Sequence, residues 1–296
     1  MTAHNRERDF AFPIETSVGP LRLLAPLLAR DDHDDPSVFL PEVMLHEARR
    51  QKNLDDAPVP AICLLDPDGD ITAYVQQHFS ARKSRSWACF HTELWEWESG
   101  GMRFGIVGRA VGASFSVLVA EQLFVSGCGL IISIGSAGAI AAGLPRPCYI
   151  VIEKALRDEG TSYHYLPPSP FVYAEPALCA LALRAAASVE VPVLAGVSWT
   201  TDAPFRETAS AVAQRQKQGI HTVEMESAAL LAFAQARRKP LVAIAHITNE
   251  LGLGAGDFDK GADHGAETAL VLAEAIARSA QEAISLSAHL QQIAKR

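Results

Sequence analysis

Residues 129–135 read GLIISIG, and the fold class turns on how that stretch is taken. A near-continuous apolar run between glycines is too short for a buried helix and suits a strand covered on both faces. Outward from it the chain alternates. Upstream, Ser114 to Gly127 reads as an apolar-rich helix, preceded by two strands, SWACFH (86–91) and MRFGIVG (102–108), with WEWESGG between them. That spacing predicts a hairpin or an adjacent pair. Further upstream, VPAICLL (59–65) is a buried strand ending at Asp66, Pro67 and Gly69 punctuate a turn, and Ile71 to Phe79 is a short helix.

Downstream of the central run, CYIVIEKAL (148–156) is a strand and RDEGTSYHYLPPSP a loop, because Pro167, Pro168 and Pro170 exclude a long helix. Glu175 to Ala187 is a helix, VPVLAGVSWT (191–200) a strand, TDAPFRET a polar loop and Ala209 to Gln218 a helix. Met225, Ala229, Leu230 and Phe233 recur at helical spacing, LVAIAHIT (241–248) is the last strand, and a final helix covers much of Gly265 to Ile284. Strand–helix alternation without a dividing linker makes residues 58–296 one α/β domain. Residues 1–57 form an N-terminal extension, with DDHDD at 31–35 and a helix from Pro41 to Lys52, expected to pack on the body or on a partner subunit.

Composition narrows the function. The 296 residues are 49% hydrophobic, which excludes a disordered chain. Lys and Arg number 26 against 34 Asp and Glu, a formal charge of −8, so the electrostatics of a nonspecific nucleic-acid binder are missing. A small anion in a local pocket stays possible. Cysteines stand at 63, 89, 128, 148 and 179; an odd count without a Cys-x-x-Cys pair predicts buried inert thiols rather than disulfides or zinc. The polar start MTAHNRERDFAFPI has no secretory apolar core, and no apolar stretch is long enough to span a bilayer, so a cytoplasmic setting is expected.

Three segments carry candidate chemistry. In VGRAVGASFSVLVAEQL (107–123), Gly108 and Gly112 lie between a strand end and a helix start, where backbone N–H groups can face an oxygen-rich ligand. The spacing is not the dinucleotide G-x-G-x-x-G, and no Walker lysine follows. In SIGSAGAI (133–140), Gly135 and Gly138 relax the backbone beside Ser133 and Ser136, whose hydroxyls can donate to phosphate, water or a sugar oxygen. In HTVEMESAALLAFA (221–234), Glu224 and Glu226 flank Met225 just before a helix. In extended geometry both carboxylates share a face, and a two-oxygen acceptor suits paired sugar hydroxyls. The bland alternative is that one glutamate caps the helix and the other meets water. Asn249, in HITNEL, offers a donor and an acceptor for a base edge, or an Asx-turn.

These segments together resemble the nucleoside phosphorylase/nucleosidase superfamily, in its uridine phosphorylase and hexameric purine nucleoside phosphorylase branch. VEMESAALL (223–231) is similar to that branch's helix entrance, AVGASFSVLVAEQL (110–123) to its glycine-rich turn and helix, SIGSAGAI to its phosphate loop, and RDEGTSYHY (157–165) to a recurrent loop. The resemblance covers about residues 59 to 285 and implies a single domain whose mixed, strongly curved central sheet is flanked by helices. It implies that Glu226 binds the ribose 2′- and 3′-hydroxyls, Met225 touches sugar and base, Ser136 holds phosphate, and the loop around Gly112 cradles the nucleophile. The segment TTDAPFRET (200–208) would border the base, with Thr201 and Asp202 lining it, Phe205 stacking and Arg206 hydrogen-bonding. Inorganic phosphate is the implied cosubstrate, with no other cofactor and no metal, and a homodimer or hexamer the implied assembly, with neither nucleic acid nor membrane as partner.

Two departures bear on the reaction. Uridine phosphorylase-like members carry an arginine where Ser133 stands, whereas methylthioadenosine-type nucleosidases lack it. The early G-D-P-x-R segment is altered to LLDPDGDI (64–71), with no arginine before Arg82. Arg109 or Arg157 can substitute, or water can replace phosphate. Adenine-handling relatives use Ser-Asp where this chain has Thr248–Asn249, and an amide cannot protonate purine N7. Uridine-like or 6-oxopurine nucleosides are therefore the expected substrates. Phosphorolysis leads, hydrolysis on the same fold is the alternative, and a noncatalytic nucleoside-binding protein is a third. His164, His221 and His246 are pocket candidates whose simpler role is structural.

Overall fold

The structure is a computed structural model and describes residues 26–250, 260 and 262–294; residues 1–25 of the expected extension lie outside the described residues. Helix α1 (Pro41–Lys52) seats Leu45 and Ala48 against Ala88, with Val125 packed beside them. The body then runs β1 (Ile62–Asp66), α2 (Asp70–His78), β2 (Arg82–Lys83), β3 (Trp95–Ser99), β4 (Met102–Gly108), α3 (Ala113–Val125) and β5 (Leu130–Ala139). After it come β6 (Cys148–Asp158), β7 (Phe171–Tyr173), α4 (Pro176–Ala185), β8 (Val193–Thr201), α5 (Ala209–Lys217), β9 (Thr222–Glu224), α6 (Ser227–Arg237), β10 (Leu241–Glu250) and α7 (Ala266–Ala294).

One mixed sheet holds all of these strands, and its centre closes on itself. The GLIISIG run is the pivot. The first half of β5 lies parallel to β1 on one side and β10 on the other, with Ser133 opposite both Leu65 and Ala243. Its far end turns to pair antiparallel with β9, Gly138 opposite Val223. From β9 the ring continues through β8 and β6 and returns to β10, where Ile244 faces Val151. Register shifts at Ile152/Lys154 in β6 and Ile247/Asn249 in β10 supply the local bend that closure requires. On the other flank β1, β4, β3 and β2 extend the sheet outward. Ile131, Ile132, Ile150 and Phe104 are fully buried, as a strand with both faces covered demands.

The expected curved α/β domain is what forms, with local corrections. The segment 86–91, expected as a strand, is irregular; WEWES is the strand instead, its Trp97 buried and Glu98 exposed in the two-residue period of a pleat. In the irregular segment Trp87, Ala88 and Cys89 are buried without a ladder, and the Lys52 ammonium hydrogen-bonds the carbonyls of Ala88 and Cys89. The SIGSAGAI segment, read as a strand-end loop, is mostly strand, so Ser133 and Ser136 sit on β5 itself. Strands β7 and β9, three residues each, escape the sequence reading. All five cysteines are buried and free, and burial pushes the Cys148 and Cys179 thiols up to about 11, which keeps them protonated and unreactive.

Candidate active site

Strand β9 is only three residues long, and the turn that follows it positions both glutamates. The Glu224 Oε2 accepts the N–H groups of Glu226 and Ser227, each at 2.7 Å, and so caps α6. Its Oε1 accepts the hydroxyls of Ser198 and Thr200, which stand on β8 beside it. Every lone pair that faces protein is thereby used for structure. Glu226 is turned elsewhere. Its Oε1 accepts the backbone N–H of Gly112 at 2.6 Å, joining the start of α6 to the start of α3 across the sheet edge. Gly112 itself has φ +89°, a conformation that favours glycine. Burial, reinforced by the neighbouring Glu224 charge, pushes the Glu226 carboxyl up to about 8. A carboxyl held this way is mostly protonated near neutral pH, and donors or positive charge brought by a ligand would favour its ionised form.

The turn after β1 shows the same division of labour. Asp66 is almost fully buried and accepts from the Gly69 and Thr72 N–H groups and the Thr72 hydroxyl, which fixes the start of α2. Desolvation raises its carboxyl to about 6 in spite of those bonds. Asp68, two residues on, leaves its own turn and reaches β5. Its Oδ2 accepts the Ser136 N–H at 2.7 Å and its Oδ1 the Ser136 hydroxyl at 2.8 Å. Lys260 lies over the same turn, its ammonium 3.3 Å from Asp68 Oδ1 and hydrogen-bonded to Asp70 Oδ2. Gly135 lets this happen, because a Cβ there would press on Pro67. Neither Asp68 nor Lys260 stands out in the sequence: Asp68 reads as one more turn residue in DPDGD, and no motif marks Lys260.

The remaining sequence candidates divide. Asn249 lies in β10 at the bulge, opposite Gly138, and its Oδ1 accepts the Thr248 hydroxyl at 3.1 Å. Met225 is half-buried between the glutamates. Arg109 follows β4 with φ +66°, and its aliphatic stem covers Gly69, where a Cβ would come within 2.8 Å of Arg109 Cγ. It therefore borders the Asp66–Asp70 turn. Arg157 is spent elsewhere: its guanidinium donates to the Ser162 and Ser169 hydroxyls and to the carbonyls of Leu166 and Pro167, clamping the loop after β6. Ser133 is buried mid-strand between β1 and β10. The Thr201 hydroxyl accepts from Ala203 N–H, and Asp202 accepts from Gly160 N–H, so both hold loops together. Arg206 is exposed, and Phe205 is 100% exposed in the single chain. His246 stacks on Tyr149 at 4.7 Å, and burial lowers its imidazolium stability. His221 accepts Val197 N–H through Nδ1, and His164 meets Arg30 at 2.8 Å. Among the described residues no His, Cys, Asp and Glu cluster is arranged to hold a metal ion.

Solved structures share this architecture. Uridine phosphorylase from Vibrio fischeri ES114 superposes with a TM-score of 0.66 at 20% identity over 76% of this chain and 95% of its own. Purine nucleoside phosphorylase from Toxoplasma gondii, in complex with immucillin-H, gives 0.65 at 18% identity over 76% and 94%. The 5′-methylthioadenosine/S-adenosylhomocysteine nucleosidase of Neisseria meningitidis, in complex with methylthio-immucillin-A, gives 0.62 at 18% over 74% and 98%. At such identities the likeness is one of fold. No curated protein sequence matches the chain significantly. The sequence profile of the phosphorylase superfamily, however, matches residues 58–285, the whole span from the strand before Asp66 to the last helix, and the chain belongs to that superfamily.

Proposed function

We propose that the protein cleaves the N-glycosidic bond of a uridine-like or 6-oxopurine ribonucleoside with inorganic phosphate, giving free base and ribose 1-phosphate. The observation that carries the reading is the Glu226 carboxylate, buried and hydrogen-bonded to Gly112 where β9, α6 and α3 converge. Cleavage at C1′ builds positive charge over C1′ and the ring oxygen. An ionised Glu226 bound to the 2′- and 3′-hydroxyls favours that charge more in the transition state than in the ground state. Asn249, at the β10 bulge, can bind a carbonyl edge of the base, and Arg206 can draw negative charge on the leaving base. No side chain forms a covalent bond to the sugar. Asn249 cannot supply a proton to N7, which turns the preference away from adenosine.

Hydrolysis is the second reading, and Asp68 favours it: a carboxylate already takes the Ser136 N–H and hydroxyl that the resemblance assigns to phosphate. Incubating desalted protein with a nucleoside panel, with and without phosphate, separates the two. Ribose 1-phosphate supports the first reading, and free ribose in phosphate-free buffer the second. Rapid adenosine turnover without uridine or inosine turnover refutes the base assignment. No turnover at all supports a nucleoside-binding protein. We expect a homodimer or hexamer, a fate that suits a Phe205 ring wholly exposed in one chain; a monomeric mass by light scattering would exclude it.

A further inference from the structure

The Ser136 donors, the Asp68 carboxylate and the Lys260 ammonium form one small assembly at the end of β5. Two donors from a single residue, a backbone N–H and a hydroxyl, converge on the two oxygens of one carboxylate at 2.7 and 2.8 Å. That is how donors converge on an oxyanion, with an aspartate standing where the anion would be. The ammonium of Lys260 completes it, with 14% of its side chain exposed. Burial draws Lys260 down, but the pairs with Asp70 and Asp68 outweigh it and hold the ammonium charged above its ordinary range.

Asp68 differs from its neighbour Asp66 in ways that matter for what it can do. Asp66 is 1% exposed and bonds only within its own turn, so moving it would undo the start of α2. The Asp68 side chain is 26% exposed and holds no backbone group of its own turn. Withdrawing it leaves α2 intact but strands the Ser136 donors, unless another anion takes them. Its charge also helps to keep the proton on Glu226.

We infer that Asp68 is an internal competitor for the anion site: inorganic phosphate binds by displacing the Asp68 carboxylate from Ser136, and Lys260 passes from Asp68 to the phosphate. This deepens the phosphorolytic reading, on which it rests for the identity of the anion. Lys260 then supplies the positive charge that Ser133 does not, and Asp68 sets how much phosphate the enzyme needs. A chain with this device tolerates the absence of phosphate without a stranded donor, at the expense of a weaker phosphate site.

Calorimetric titration of the full chain with inorganic phosphate tests it directly, without any nucleoside. Asp68→Ala is expected to bind phosphate at least ~10-fold more tightly than the parent, and Asp68→Asn, which keeps an acceptor but no charge, to fall between them. Lys260→Met is expected to bind at least ~10-fold more weakly, and to cancel the gain when combined with Asp68→Ala. Asp70→Asn removes a charge beside Lys260 without touching Ser136, so its gain should be smaller than that of Asp68→Ala. Equal gains from the two would mean simple charge relief and overturn displacement, as would unchanged affinity in both Asp68 variants. Circular dichroism and melting confirm that each variant is folded. Tighter phosphate binding by Asp68→Ala with no ribose 1-phosphate from any nucleoside leaves the displacement standing and removes the phosphorolytic reading. Ribose 1-phosphate production with unaltered phosphate affinity does the reverse.

Discussion

The turns after β1 and after β9 are built to one plan and end differently. In each, a first carboxylate holds the helix that follows: Asp66 accepts the Thr72 N–H at α2, and Glu224 accepts the Ser227 N–H at α6. In each, a second carboxylate two residues later reaches across to another element: Asp68 to Ser136 on β5, Glu226 to Gly112 at the start of α3. What differs is company. Asp68 has a cation, Lys260, and partial exposure; Glu226 has another glutamate and burial. Burial and the Glu224 charge disfavour the ionised form of Glu226. On the phosphorolytic reading proposed above, that asymmetry would suit a site that takes an anion at one end and favours positive charge at the other.

The strongest way to break the comparison is Glu226→Gln. It keeps the acceptor toward Gly112 but never carries charge, and kcat/KM should fall at least ~100-fold, as on removing one preorganised stabilising group. Activity within about threefold of the parent would reduce Glu226 to a loop fastener. Glu224→Ala should act on the fold instead. It strands two N–H groups and two hydroxyls, and about 2–3 kcal/mol of stability should be lost in urea unfolding; a change under about 0.5 kcal/mol would show that water replaces the cap.

A smaller effect sharpens the electrostatic half. Glu226 and Asp66 both have folded values raised above their unfolded ones, to about 8 and about 6. The folded state thus binds more protons between the unfolded and folded values. The stability they contribute is full below about pH 4 and is lost as pH rises through about 6 for Asp66 and 8 for Glu226. Glu226→Gln should flatten that decline between pH 5 and 8 by up to about 1 kcal/mol per pH unit, read from melts without nucleoside. For the parent protein, kcat/KM should climb as pH rises toward about 8 if, as proposed, the ionised form of Glu226 is the useful one. A profile already flat from pH 6 would place the ionisation elsewhere. The mildest change is Phe205→Ala: an exposed ring that only stacks on the base should alter KM by about three- to tenfold and leave kcat nearly untouched.

Much of this was readable in the letters, and the gaps have physical causes. The helix–strand alternation and the two-sided burial of β5 follow from apolar patterning, which is local, whereas the pairing of β5 with β1, β10 and β9 is not. The strand expected at 86–91 failed because burial of Trp87 and Cys89 mimics a strand while the ladder lies in WEWES. The glutamate pair was visible, yet spacing could not say which member caps α6; β8 decides it, through Ser198 and Thr200. Arg157 looked like an anion ligand because charge alone does not reveal the four acceptors waiting in its own loop. Asp68 and Lys260 went unnoticed because their partners lie 68 and 190 residues away or more in sequence.

The closed ring of β5, β9, β8, β6 and β10 also sets an order of events in time. Its last member, β10, spans Leu241–Glu250 and must dock between strands made about a hundred residues earlier, opposite Ile131 on one side and Val151 on the other. Contacts of such separation form late, because the entropy of closing a long loop comes before any reward. During synthesis the carboxylates, the glycine turn and Ser136 all leave the ribosome before the strand that draws the ring shut. A nascent chain that stops short of β10 carries both glutamates, Gly112, Asp68 and Ser136 on an open ring, and still lacks Asn249 and Lys260.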